Sequence, residues 1–257
     1  MNILKPRDLT AATSSETAQL AAPPAASISP WVTWLSVPLA GVMMGVLAQF
    51  IRQIPGALMD LGASVAPWVM VGFLLAVWAS RGAPTTRRAV LIASGAIAAY
   101  LVAWLVSYHL IFVVREHVRL AAGWREAAPW LLVTIPANPF LGAIAALSHR
   151  AGFLGDLCLV APIAWSLPEI VQSLRGGLLV GAAWTPPLAD RLWAGAAIAV
   201  PVAILGALLV YMATRERRVR ATSLLAAAVT LAALGVVLLP LFRSLIMLRR
   251  FLNGGGL

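Results

Sequence analysis

Charge is scarce in this chain. Asp, Glu, Lys and Arg make up only 11% of its residues, against 61% hydrophobic and a mean hydropathy of +0.90. Soluble domains carry about twice that share of charge, so a water-soluble globule is excluded as the default. Cysteine is nearly absent. Cys158 stands alone, which rules out an intramolecular disulfide and a Cys-pair metal site; inside an apolar run it reads as a small core residue. Lysine is represented by Lys5 alone against eighteen arginines, a bias of coding rather than of chemistry. The motifs of several enzyme classes are also missing. There is no Gly-x-Ser-x-Gly elbow, no His-Glu-x-x-His and no phosphate-cradling Gly-x4-Gly-Lys-Ser/Thr loop. The histidines His109, His117 and His149 have no i, i+4 partner, so the sequence offers no metal centre and no cofactor site. No acid–base or nucleophile pairing is visible, and any energy coupling would have to come from an ion gradient or another subunit.

What is present is oil in long runs, near or above the roughly 18 to 20 residues that a bilayer-spanning helix needs. A transmembrane barrel is excluded by texture, because runs such as Ala89 to Ala99 stay apolar on both parities where barrel strands alternate. The formal net charge of +10 does not point to nucleic acid. Its arginines sit at the ends of apolar runs, as in Arg81, Arg87 and Arg88, or Arg215, Arg217, Arg218 and Arg220, a pattern that orients membrane helices and meets anionic lipid head groups. The chain is therefore expected to be an all-α polytopic transmembrane helix bundle of about seven spans, with six as the alternative.

Residues 1–30, rich in Ala, Ser, Thr and Pro, read as a flexible N-terminal tail. Lys5 and Arg7 are not followed by the apolar core of a cleavable signal peptide. The transmembrane domain is expected over 31–241, with spans at about 31–51, 61–80, 89–114, 129–148, 153–172, 192–214 and 221–241. The segment 115–128 (R-E-H-V-R-L-A-A-G-W-R-E and onward) reads as an interfacial amphipathic helix, and 242–257 as a basic amphipathic tail lying on the surface. On a seven-span plan the basic residues divide 10 to 9 between the two sides, so orientation rests on the shortest, densest basic turns, 81–88 and 215–220. These place the N-terminus in the cytoplasm of a bacterial inner (cytoplasmic) membrane. A sparse echo relates Pro38, Gly41 and Gly45, followed by Ala66-Pro67, to Pro136, Gly142 and Ala146, followed by Ala161-Pro162. It reads either as chance recurrence in an Ala-rich chain or as the three-helix repeat of a transporter plan.

The chemistry of such a chain would lie in its breaks. Gly41-x-x-x-Gly45 and Gly142 let a neighbouring backbone approach closely and read as helix-packing positions; Gln49 lies near the same face. Pro67 in Ala66-Pro67-Trp68, and Asn138 between Pro136 and Pro139, interrupt spans two and four. Each is either an ordinary kink or the wall of a cavity, since broken backbone is tolerated at depth only where protein or water covers it. Tyr100, Trp104 and Tyr108 form an aromatic strip on span three. Asp156 and Glu169 are the acids inside a predicted span. Both lie close to span ends, so exposure at the interface is expected, with Glu169 facing water or Arg175. His109 is expected at the interface as well. The candidate cavity-lining set is Gln49, Pro67, Trp68, Tyr100, Trp104, Asn138 and Glu169.

Over roughly residues 38–180 the chain resembles an uncharacterised family of multi-pass bacterial membrane proteins, common in actinobacteria and classed as a domain of unknown function. The likeness rests on Gly41, Gly45, Gln49, Pro55, Ala66-Pro67-Trp68 with Phe73, and Pro139-Phe140-x-Gly142, and extends to Glu169. The family often carries an Asn-Ser pair before its Pro-Trp; here Ala63-Ser64-Val65 stands instead, which is expected to weaken any polar site at that break. The resemblance implies no activity. Two functions lead, with a membrane enzyme third: a small-molecule permease or substrate-capturing membrane subunit without its own nucleotide site, binding between spans two and four, or a non-catalytic integral subunit or assembly factor. The second would pack against a partner membrane subunit or another copy through small-residue faces. The expected partners are the anionic lipid bilayer and such a subunit, not nucleic acid.

Overall fold

The computed structural model describes residues 30–150, 152–176, 187–216 and 229–230. Their regular structure is α-helical throughout: α1 (Pro30–Ile51), α2 (Ala57–Ala63), α3 (Ala66–Ala79), α4 (Thr86–Arg115), α5 (Leu120–Leu147), α6 (Phe153–Gly176) and α7 (Leu188–Glu216). Four of these, α1, α4, α6 and α7, contain stretches long and apolar enough to cross a membrane, and α5 adds a fifth if its bent halves count as one span. Apart from residues 229–230, the predicted seventh span lies outside the described residues, as do the basic turn beyond Glu216, the N-terminal tail before Pro30 and the C-terminal tail.

Local chemistry sets the helix ends. Thr85 is extended and its hydroxyl accepts from the Arg88 amide at 3.2 Å, capping α4. Ser80 closes α3 by donating its hydroxyl back to the Ala76 carbonyl at 2.8 Å. Gly56 (φ 83°) and Gly82 (φ 71°) then take the left-handed backbone of the turns before α2 and α4.

Side-chain register gives the direction of each helix. Gly41 faces Tyr100 and Trp104, Gly45 faces Trp104 and Ser107, and Arg52 reaches Tyr108, so α1 and α4 run parallel. The chain must therefore return between them, and α2 and α3 together make that return in two pieces. In α5 the order reverses against α4, with Gly123 beside Val113 and Gly142 beside Ser94. Glu169 meets Ser64 and Ser166 meets Met70, so α6 runs against α3. Gly195 lies on Leu174 and Gly206 on Ile163, so α7 runs against α6. Successive strokes alternate in direction. Within the bundle α3 is the axis: it touches α1, α4, α5, α6 and α7, and most of its residues are buried. The outer faces of α1 and α7 stay apolar, as at Trp31, Leu39, Met43, Trp193, Val200 and Ile204. Exposed oil on this scale needs lipid against it.

Three expectations change. Span two is not one helix, because the backbone turns extended at Ser64 and α3 starts afresh at Ala66. The segment after Arg115 is not a separate surface helix. From Leu120 it is the first half of α5, where Gly123 and Ala127 are buried, Gly123 against Val113 of α4. Span four accordingly starts earlier, and α5 bends by 41° between Leu132 and Thr134. That is one turn before Pro136, whose ring displaces the carbonyl four residues back. The I-P-A-N-P-F stretch is thus a kink within a helix.

Candidate functional site

A helix that starts inside a membrane protein presents amide protons without intrahelical partners. At the α2–α3 break Ser64 is extended (φ −67°, ψ 146°), and α3 opens with Pro67 in its first turn. There the missing proline N–H is one that the helix would not have used. The remaining donors are met from across the bundle. Glu169 of α6 is 3% exposed, and its Oε2 accepts from the Val65 and Ala66 amides, each at 3.0 Å, and from the Ser64 hydroxyl. The carboxylate sits where the aligned peptide dipoles of α3 favour negative charge. Bare carboxylate in such surroundings would be prohibitive; here three donors converge on one oxygen.

The same break borders a hollow of about 80 Å³. Ser64 and Val65 form one wall, Trp104, Tyr108 and His109 of α4 another, with Arg52 at the end of α1 and Trp130 of α5 closing it. Arg52 donates from Nη1 to the Tyr108 hydroxyl at 2.8 Å. The Trp104 and Tyr108 rings lie 5.8 Å apart, and His109 stands edge-on to Tyr108 at 5.2 Å. The hollow therefore combines one guanidinium, hydroxyls, an imidazole and flat aromatic faces beside a backbone break.

The expected residues divide around this centre. Trp104 lines the hollow, and Glu169 and Pro67 shape the break beside it. Gln49, Trp68, Tyr100 and Asn138 are buried but do not line it. Tyr100 instead lays its ring over Gly72, filling the space that a side chain on α3 would take. Gln49 Oε1, Trp68 Nε1, Tyr100 Oη, Trp104 Nε1 and Asn138 Oδ1 have no hydrogen-bond partner among the described residues. Gly41 and Gly45 pack on the Tyr100 and Trp104 carbonyls of α4, and Gly142 packs on Ser94.

The expected interface exposure of the two acids is overturned. Asp156 is buried as well as Glu169, and Glu169 faces the start of α3 rather than water or Arg175. His109 is buried too. Ser64, expected to leave the break less polar, is the residue whose hydroxyl binds the carboxylate. Arg52, Ser64, Tyr108, His109 and Trp130 were not in the expected set. Tyr108 and His109 follow Trp104 by one turn, and Ser64 stands just before Ala66-Pro67, so their elements were legible while their shared hollow was not. Among the described residues no three His, Cys, Asp or Glu side chains gather as a metal site. No protein-family model, curated protein or solved structure matches the chain.

Proposed function

We propose that the protein is a small-molecule permease or substrate-capturing membrane subunit without its own nucleotide site, residing in a bacterial cytoplasmic membrane with its N-terminus inside. One observation carries the reading: the return stroke between α1 and α4 is broken beside a polar hollow, and the break is held by Glu169 from α6. Membrane helices forgo continuous backbone hydrogen bonding where the freed groups meet protein or a cavity. Half-helices that meet a bound solute are a recurrent transporter device. Glu169 ties α6 to the moving part such a device would need, since losing its three hydrogen bonds frees the start of α3.

The assembly-factor reading draws on Gly41 and Gly45, on the scarcity of buried ionisable groups and on the basic turns; α4 of the same chain packs on the two glycines. The permease reading is tested by reconstituting the protein into liposomes and screening a broad metabolite set for saturable uptake and for ligand-raised melting. Uptake of at least one solute is expected, reduced in Glu169→Gln. No uptake and no stabilisation by any solute would remove the proposal.

A further inference from the structure

We propose that the hollow at the α2–α3 break binds a small organic monoanion, a carboxylate on a short apolar body, with Arg52 as its counter-ion. This deepens the permease reading and rests on it. Arg52 is a cation built into place. Its amide donates to the Ala48 carbonyl at 2.9 Å, its backbone packs against Gly62 of α2, and its Nη1 is tied to Tyr108. A guanidinium has five N–H donors in a planar fork matched to a carboxylate, and the described hydrogen bonds take only one of them. Among the described residues Arg52 makes no ion pair and no carboxylate lines the hollow. Glu169 is committed to the start of α3.

A held, half-buried guanidinium to which the described residues bring no counter-charge attracts an anion. One fixed positive charge matches a monoanion better than a phosphate dianion, which would draw on several cations. The volume of about 80 Å³ is several times the ~10–15 Å³ that admits a single water, room enough for a carboxylate with a short chain. Trp104, Leu105 and Trp130 supply apolar and aromatic surface for that chain.

The test is calorimetric titration of the full chain in nanodiscs of zwitterionic lipid, using propionate, propionamide and inorganic phosphate as probes. Saturable binding of propionate is expected, with propionamide weaker by about tenfold or more, since a charge-assisted fork is lost. Arg52→Gln should abolish that discrimination, and Tyr108→Phe, which keeps the charge but frees the guanidinium, should weaken propionate several-fold. Unaltered melting of both variants shows that they fold. Equal binding of acid and amide, propionate binding unchanged in Arg52→Gln, or no propionate binding at all would each overturn the assignment. So would displacement of propionate by phosphate, or by adding phosphatidylglycerol to the nanodisc, because Arg52 would then be a head-group contact. Uptake of a neutral or cationic solute that Arg52→Gln leaves unchanged would sink the anion site and spare the permease. Propionate binding without proteoliposome uptake would do the reverse.

Discussion

Glu169 shows how much one side chain carries here. Its Oε2 accepts from Ser64, Val65 and Ala66, three donors that belong to the start of another helix. Removing the acceptor leaves the buried Ala66 amide, the part-buried Val65 amide and the Ser64 hydroxyl without that partner, and a fully buried orphan costs about 1–3 kcal/mol. Glu169→Leu is therefore expected to lower the melting temperature in detergent markedly. Glu169→Gln keeps a carbonyl oxygen and should lose less. Ser64→Ala removes one donor and leaves the carboxylate two, so a loss of about 1 kcal/mol is expected. The order Leu worse than Gln, and Glu169→Leu worse than Ser64→Ala, is read from thermal unfolding; a Glu169→Leu protein that melts with the wild type would deny the cap its structural role. In sequence Glu169 was visible only as an acid toward the end of an apolar run. Its burial depends on a residue about a hundred positions earlier, and no local pattern in α6 encodes that meeting.

Among the elements, contacts at glycine separate rigid packing from soft packing. A Cβ on Gly41 or Gly45 would strike the Tyr100 or Trp104 carbonyl of α4, atoms fixed within that helix. At Gly95 it would meet only the outer edge of the Trp34 indole at 2.9 Å, a ring on a rotatable side chain. Gly41→Ala and Gly45→Ala are accordingly expected to destabilise by about 1–3 kcal/mol, the usual range for overpacking, and Gly95→Ala by much less. Equal melting temperatures for the three variants would contradict the close α1–α4 contact. The Gly-x-x-x-Gly spacing announced a tight helix contact, and the sequence could not say whether its partner lay within the chain. The breaks were legible in the same partial way. Pro67 and Pro136 are chemically alike on paper, yet one opens a helix after a two-residue interruption and the other bends a continuous helix by 41°. What distinguishes them is the partner: Glu169 receives the freed amides at Ala66, so the chain can leave helical geometry there.

At the scale of the whole molecule, register along the helices fixes which turns share a side without reference to the membrane's own polarity. His149 lies 3.1 Å from the Ser80 hydroxyl and 3.0 Å from the Val77 carbonyl, and Arg150 donates to Thr86 at 3.1 Å. The turn between α3 and α4 and the turn between α5 and α6 therefore lie at one end of the bundle. The turn between α1 and α2 and the turn between α4 and α5 lie at the other, as the parallel α1 and α4 require. The long apolar runs made membrane helices readable, but the evenly divided basic residues left orientation resting on the two densest turns alone, because charge counting weighs loops while side-chain contacts weigh neighbours. Cys158 is buried and is the chain's single thiol, so Cys158→Ser gives a clean background for labelling. Cysteines placed at Gly82 and Gly152, both in exposed turns, are expected to react with a membrane-impermeant maleimide from the same face of intact cells or oriented vesicles. Cysteines at Gly56 and His117 are expected to react only from the opposite face. Labelling of positions 56 and 82 from one side would mean that α2 and α3 dip into the bilayer and leave where they entered, and the broken return stroke, with the hollow beside it, would then be a re-entrant loop.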